Sequence, residues 1–181
     1  MPLAYFITFS TYGTWLPGSA KGKGSVDRHH NQYATEFAQP NPARELQATS
    51  TMAQPPYVMD APQREIVKDA IVSLANEKQW PLLAAHVRSN HVHAVISADR
   101  DPARLMSDLK SRASRDLTRA GFDDANRRRW TRHGSTLHLF TPQQVQLKIH
   151  YTLHQQGPPM STYPPANESP HIPPPKEPRT Q

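Results

Sequence analysis

Two histidines are spaced so that they could share a cation. His91-Val92-His93 opens the apolar run His91 to Ser97. Strand side chains alternate, so His91 and His93 leave one face while Val92 enters the other. Two imidazoles on neighbouring same-side positions can hold one metal ion. Two polar residues on the wetted face of a strand would show the same spacing. A second polar set lies further along. Turning about 100° per residue from Val145, the residues Val145, Ile149 and Leu153 form an apolar stripe, and Gln144, Lys148, Tyr151 and Gln155 cluster on a flanking face. Tyr151 and Gln155 are four apart and therefore adjacent on that surface. A phenol, an amide oxygen and an ammonium line up there, beside the sheet. An ordinary amphipathic helix with Tyr151 at the core boundary has the same pattern.

The elements that must position these groups can be read from periodicity and caps. Leu3 to Thr11 alternates and is rich in aromatic and β-branched residues, which predicts a strand. Asp60 caps a helix with Pro62 in its first turn; Ile66, Val67, Ala70, Ile71 and Leu74 face one way until about Lys78. Pro81 to Val87 and His91 to Ser97 read as an antiparallel hairpin joined by Arg88-Ser89-Asn90. Asp101-Pro102 starts a helix with Leu105, Leu109, Ala113 and Leu117 inward, ended by Gly121. Thr136 to Phe140 is a short strand. Thr141-Pro142-x-Gln144 is a capping box opening a helix that runs to Gln156, before Gly157 and Pro158-Pro159. The order β-α-β-β-α-β is that of a ferredoxin-like split βαβ sheet, with one helix appended. The expected class is α+β: a ferredoxin-like antiparallel sheet whose appended C-terminal helix carries the tyrosine.

Composition bounds the rest. The chain of 181 residues fits one domain, expected over 1–157. It has no cysteine, which excludes disulfides, thiolate metal sites and a cysteine nucleophile and suits a reducing, cytoplasmic setting. No apolar run is long enough to span a membrane. Only 36% of residues are hydrophobic, so part of the chain lies outside the core. Two stretches account for this. Residues from Pro17 to Tyr57 read as a long irregular insertion. Pro158 to Gln181 holds nine of the 19 prolines and reads as a disordered or polyproline-like tail.

Asn90-His91-Val92-His93 with the later Tyr151-x-x-x-Gln155 resembles the single-tyrosine HUH transposases of small bacterial insertion sequences, the IS200-like transposase domain. Phe9-Ser10-Thr11-Tyr12-Gly13-Thr14-Trp15-Leu16-Pro17-Gly18 and Trp130-x-x-His133-Gly134-Ser135 resemble the branch of REP-associated tyrosine transposases. The likeness spans Leu3 to Gly157. Leu137-His138-Leu139-Phe140 departs from it, being less basic and aromatic than that strand end in the family. The resemblance implies a ferredoxin-like fold, a divalent metal (Mg2+ or Mn2+) held by His91, His93 and Gln155, and Tyr151 as nucleophile. It implies single-stranded DNA with hairpin or palindromic repeats as partner, a 5′-phosphotyrosine intermediate, and either a monomer or a homodimer. The chemistry is coherent: a tyrosine phenol ionises near pH 10, so ionising it at pH 7 costs about 4 kcal/mol, which a divalent ion and a nearby lysine offset.

The charge pattern agrees with a polyanionic partner. The net charge is +6. Ser107 to His133 carries eight positive residues against four negative ones. Arg112, Arg115 and Arg119 lie at helical spacing opposite the leucine face. Arg127-Arg128-Arg129-Trp130 joins cations to a possible stacking ring. With Lys148 these are the candidate DNA contacts. A solvated helix face with pairs such as Asp108–Arg112 would look alike. The rival functional reading is a catalytically inactive ferredoxin-like nucleic-acid-binding module; another is an unrelated ferredoxin-like metal or regulatory domain.

Overall fold

The computed structural model describes residues 1–19, 39–165 and 168. Its elements are β1 (Ala4–Thr11), α1 (Pro42–Ser50), α2 (Ala61–Glu77), β2 (Leu82–Val87), β3 (His91–Ile96), α3 (Pro102–Arg119), β4 (Trp130–Leu139), α4 (Pro142–His154) and β5 (Ser161–Tyr163). The strands form one sheet in the order β4-β1-β3-β2-β5. Every pairing is antiparallel. Split βαβ connections put β1 and β3 at the centre, and these two strands carry the alternating apolar residues expected of buried strands.

Strand alternation sorts the core into two layers. Tyr5, Ile7, Phe9, Val87, Val92 and Ile96 point to one face and pack against α2 and α3 through Val67, Ile71, Leu74, Leu105, Leu109 and Leu117. Ala4, Ala84, Val95 and Leu139 point to the other face and pack against Val145, Ile149 and Leu153 of α4. Each fully buried Leu or Ile contributes about 1.5–3 kcal/mol. The sheet therefore separates two helical layers, and His91 and His93 share the α4 side with Val95.

Caps set the helix starts. Asp60 and Gln63 form a reciprocal capping box on α2, with both bonds at 2.9 Å. Asp101 caps α3 and Thr141 caps α4, each ahead of a proline in the first turn. Gly121 ends α3 at φ 82, where a residue with a Cβ would be strained. Gly134 serves closeness instead: a methyl there would strike the Thr8 carbonyl and the Met106 sulfur, so β4 can approach β1 only with glycine at this position.

Four expectations change. β4 begins at Trp130, not Thr136, because Thr131, Arg132 and His133 lie on an edge strand with little apolar alternation to reveal it. α4 ends at His154, with Gln155 as its cap, two residues short of the expected end. Residues 42–50, inside the expected irregular insertion, form α1; it has an Asn41 cap but no buried residue, so it leaves no apolar stripe in the sequence. Ser161–Tyr163, inside the expected tail, forms β5 and pairs with the open edge of β2. Backbone groups on that edge need partners, and three residues between prolines supply them with no side-chain period. The remainder of the insertion (20–38) and of the tail (166–167 and 169–181) lies outside the described residues.

Candidate active site

The centre of the site is the α4 face of β1 and β3. Register pairs Thr8 with His93 and Ser10 with His91. The two imidazoles meet edge to face with ring centroids 4.8 Å apart. Each has its Nδ1 engaged. Thr8 Oγ1 lies 2.8 Å from His93 Nδ1, and His91 Nδ1 donates to Asn90 Oδ1 at 2.7 Å. With Nδ1–H donating, the Nε2 lone pair is the one left for a ligand, which is how a metal-binding histidine is usually fixed. Burial pushes His93 down to about 3, helped by His91. Burial and the nearby Arg88 cation lower His91. Both imidazoles are therefore neutral at pH 7, the form that ligates a metal.

α4 brings the phenol. Its buried stripe of Val145, Ile149 and Leu153 seats on the sheet and turns Tyr151 inward at the edge of that contact. The Tyr151 ring centroid lies 5.7 Å from His93 and 5.8 Å from Phe6. Phe6 stacks on His93 at 5.4 Å. Lys148 Nζ sits 5.2 Å from the Tyr151 ring centroid and 4.9 Å from that of Phe6. The cation is thus held over two aromatic faces, close to the phenol.

The carboxamide differs from the expectation. Gln155 is exposed at the α4 cap. The next residue, Gln156, interacts through its side chain with both His91 and His93, and its Nε2 donates to the Tyr151 carbonyl at 3.3 Å. The helix stops two residues before its expected end, and the chain turns through Gly157 at φ 78, leaving Gln155 exposed and Gln156 half-buried. Spacing counted along an unbroken helix cannot show this.

His86 is the other histidine on this face. It is fully buried, with Nδ1 3.0 Å from the Thr152 carbonyl and Nε2 accepting from the Met160 N–H at 3.1 Å. Both ring nitrogens are spent tying α4 and the following segment to β2. Among the described residues no group of three or more His, Cys, Asp and Glu could hold a metal. The donor set that fits a divalent ion here is two imidazoles and a glutamine amide. It is all neutral, so the ion keeps its charge for phosphate oxygens.

The candidate DNA contacts separate. Arg112 is bound at both ends: its guanidinium grips Glu77 through two bonds of 2.7 Å and Asp116 at 2.9 Å. Arg119 pairs with Asp116 at 3.0 Å, and Arg115 is exposed beside it on α3. All three are across the sheet from Tyr151. Arg129 is buried and donates to the Ser114 and Asp124 carbonyls and to Thr118 Oγ1. Arg127 staples Gln54, Pro55 and Pro56 to the α3–β4 connection. Trp130 is packed on Phe9 with its indole N–H donating to Ser114 Oγ at 2.9 Å. Arg128 is exposed, over the Tyr12 ring. Lys148 alone of the set stands beside the tyrosine.

The model of the family described as "Transposase IS200 like" matches residues 55–140. That span takes in both histidines and ends before α4. No curated protein matches the chain. A solved structure titled "Structure of the REP associates tyrosine transposase bound to a REP hairpin" shares 11% identity, with a TM-score of 0.46 over 86% of this chain and 67% of that one. No helix among the described residues is long and apolar enough to cross a membrane. Residues 55–140, which carry the histidine strand and the helices behind it, are similar to the IS200-like transposase family.

Proposed function

We propose that the chain is a single-stranded-DNA transposase of the HUH type, of the REP-associated branch that its opening motif resembles. It acts by transesterification on hairpin or palindromic DNA. The observation that supports this most is the Tyr151 ring 5.7 Å from His93, with His91 4.8 Å beyond it, on the face where Lys148 also stands. His91 and His93 offer Nε2, and a carboxamide at the α4 end offers an oxygen. Spacing nominates Gln155 for that place; the side-chain contacts favour Gln156. A divalent ion, magnesium or manganese, would supply charge to polarise the scissile phosphate there.

Tyr151 attacks phosphorus through its phenolic oxygen and gives its proton to solvent. The P–O3′ bond breaks, and the departing 3′ oxygen takes up a proton. The protein keeps the strand's 5′ phosphate as a phosphodiester on Tyr151. That linkage conserves the bond energy, so another 3′-hydroxyl can reverse the step and join new ends. Lys148 neutralises charge on the phosphate, and the aromatic wall of Phe6 keeps the phenol in place.

The test is which fragment the protein retains. With manganese and a single-stranded hairpin from the gene's own flanks, a 3′-labelled strand should stay on the protein. The 5′-labelled fragment should leave with a 3′-hydroxyl that a polymerase extends. Retention of the 5′-labelled piece would reverse the proposed polarity. Binding without cleavage would favour the inactive nucleic-acid-binding module.

A further inference from the structure

The sheet end beside His91 carries an aromatic group that the reaction above does not use. Trp15 is 49% exposed, yet it is not loose: its indole N–H donates to Ser10 Oγ at 3.0 Å. Ser10 is the register partner of His91 and points to the same face, so the indole edge is anchored beside the imidazole pair. The β1–β4 register shifts between Phe9 and Thr11, with the extra residues on β4 opposite Ser10. The turn that presents Trp15 is fixed from below. Thr11 Oγ1 and Thr14 Oγ1 share a hydrogen bond of 2.7 Å, and the Asn90 carbonyl accepts from the Thr11 N–H at 2.8 Å with both hydroxyl oxygens within 3.3 Å of it. Gly13 sits at φ 79 against Met52 and Pro56, which locks the turn's shape. Two cations lie on the segments that hold this turn. Arg88 lies in the β2–β3 turn that holds Asn90 and donates to the Pro158 carbonyl; Arg128 lies over the Tyr12 ring. Neither has a carboxylate partner among the described residues.

We infer that Trp15 is a base-stacking platform: it takes one unpaired nucleobase of the strand whose phosphate lies at His91 and His93, with Arg88 and Arg128 on the neighbouring phosphates. The inference rests on the proposed single-strand reading. A large exposed ring held at its polar edge offers a π-face with little conformational entropy left to lose, and every base has a face to put on it. A ring needed only for packing would be covered. Trp80 and Trp130 are half-buried and packed against the core.

The experiment uses the full chain, a single-stranded oligodeoxythymidine and an abasic strand of the same length. Oligodeoxythymidine should quench the tryptophan emission to saturation, and the abasic strand should not. Trp15→Phe should lose the quenching while keeping affinity within about threefold. Trp15→Ala should weaken oligodeoxythymidine binding about tenfold and leave abasic binding unchanged. Ser10→Ala, which frees the indole edge without removing the ring, should fall between. Full quenching in Trp15→Phe, or an unchanged affinity in Trp15→Ala, overturns the platform. A covalent adduct formed equally well without Trp15 also overturns it and leaves the Tyr151 chemistry standing. Quenching that persists in Tyr151→Phe, in a protein that never forms an adduct, supports the platform and removes only the chemistry.

Discussion

Thr8 and Asn90 decide which nitrogen each histidine offers. Thr8→Val keeps the shape of the side chain but removes the oxygen on His93 Nδ1. Loss of such a partner typically weakens metal affinity about 10- to 100-fold, and manganese titration should show a drop of that size. Gln156→Ala should reduce strand cleavage more than Gln155→Ala, because Gln156 meets the imidazoles and Gln155 faces solvent. Equal rates in the two variants, or a larger loss in Gln155→Ala, would mean that the helix end rewinds when DNA binds. Strand and helix periods place the histidine pair on one strand face and Tyr151 on a helix flank, and only the family resemblance gives them roles. The glutamine is not legible in the sequence, since its position depends on where α4 stops, and helix ends depend on tertiary turns.

Among the elements, α4 depends most on a group that titrates. His86 is buried, and burial lowers its pKa, as it does for His91 and His93. Each folded-state pKa lies below the unfolded value of 6.5. The unfolded chain therefore binds more protons in the acid range. The stability these groups contribute is full above about 6.5 and is lost as pH falls from there toward 3. Protonating His86 would also set an N–H against the Met160 N–H. Thermal melts should show a Tm that falls steadily below about pH 6.5; a flat or rising Tm would contradict the burial of these imidazoles. β5 makes a related prediction. Proline content alone says that a chain ending at 157 loses nothing. With Ser161–Tyr163 paired to β2 and Met160 bonded to His86, that truncation should instead cost about 1–3 kcal/mol. Strands β1, β2 and β3 and helices α2, α3 and α4 declare themselves through caps and alternation. β5 and α1 do not, because neither buries an apolar face of its own.

Across the whole molecule, the sheet separates the paired cations of the α3 side from Lys148 on the α4 side. Arg112 clamps α2 to α3 through Glu77 and Asp116, and Arg129 fills the base of the α3–β4 connection. A count of positive residues along the sequence cannot distinguish these from free cations, since Glu77, which grips Arg112, is 35 residues away, and Arg129 is held by backbone carbonyls and Thr118. Arg112→Ala should therefore lower Tm and leave the salt dependence of DNA binding unchanged. Lys148→Ala should flatten that dependence by about one unit of slope. Leu109→Ala, at the centre of the α2–α3 layer, should cost about 2–5 kcal/mol and spare the cleavage chemistry of whatever remains folded. The claim that joins these scales is that Tyr151 is the nucleophile, and one denaturing gel tests it. End-labelled, locus-derived single strand with manganese should give a band at the mass of protein plus DNA in the unaltered chain. Tyr151→Phe should lose that band while still binding the strand. A band that survives in Tyr151→Phe would place the nucleophile elsewhere and contradict the account.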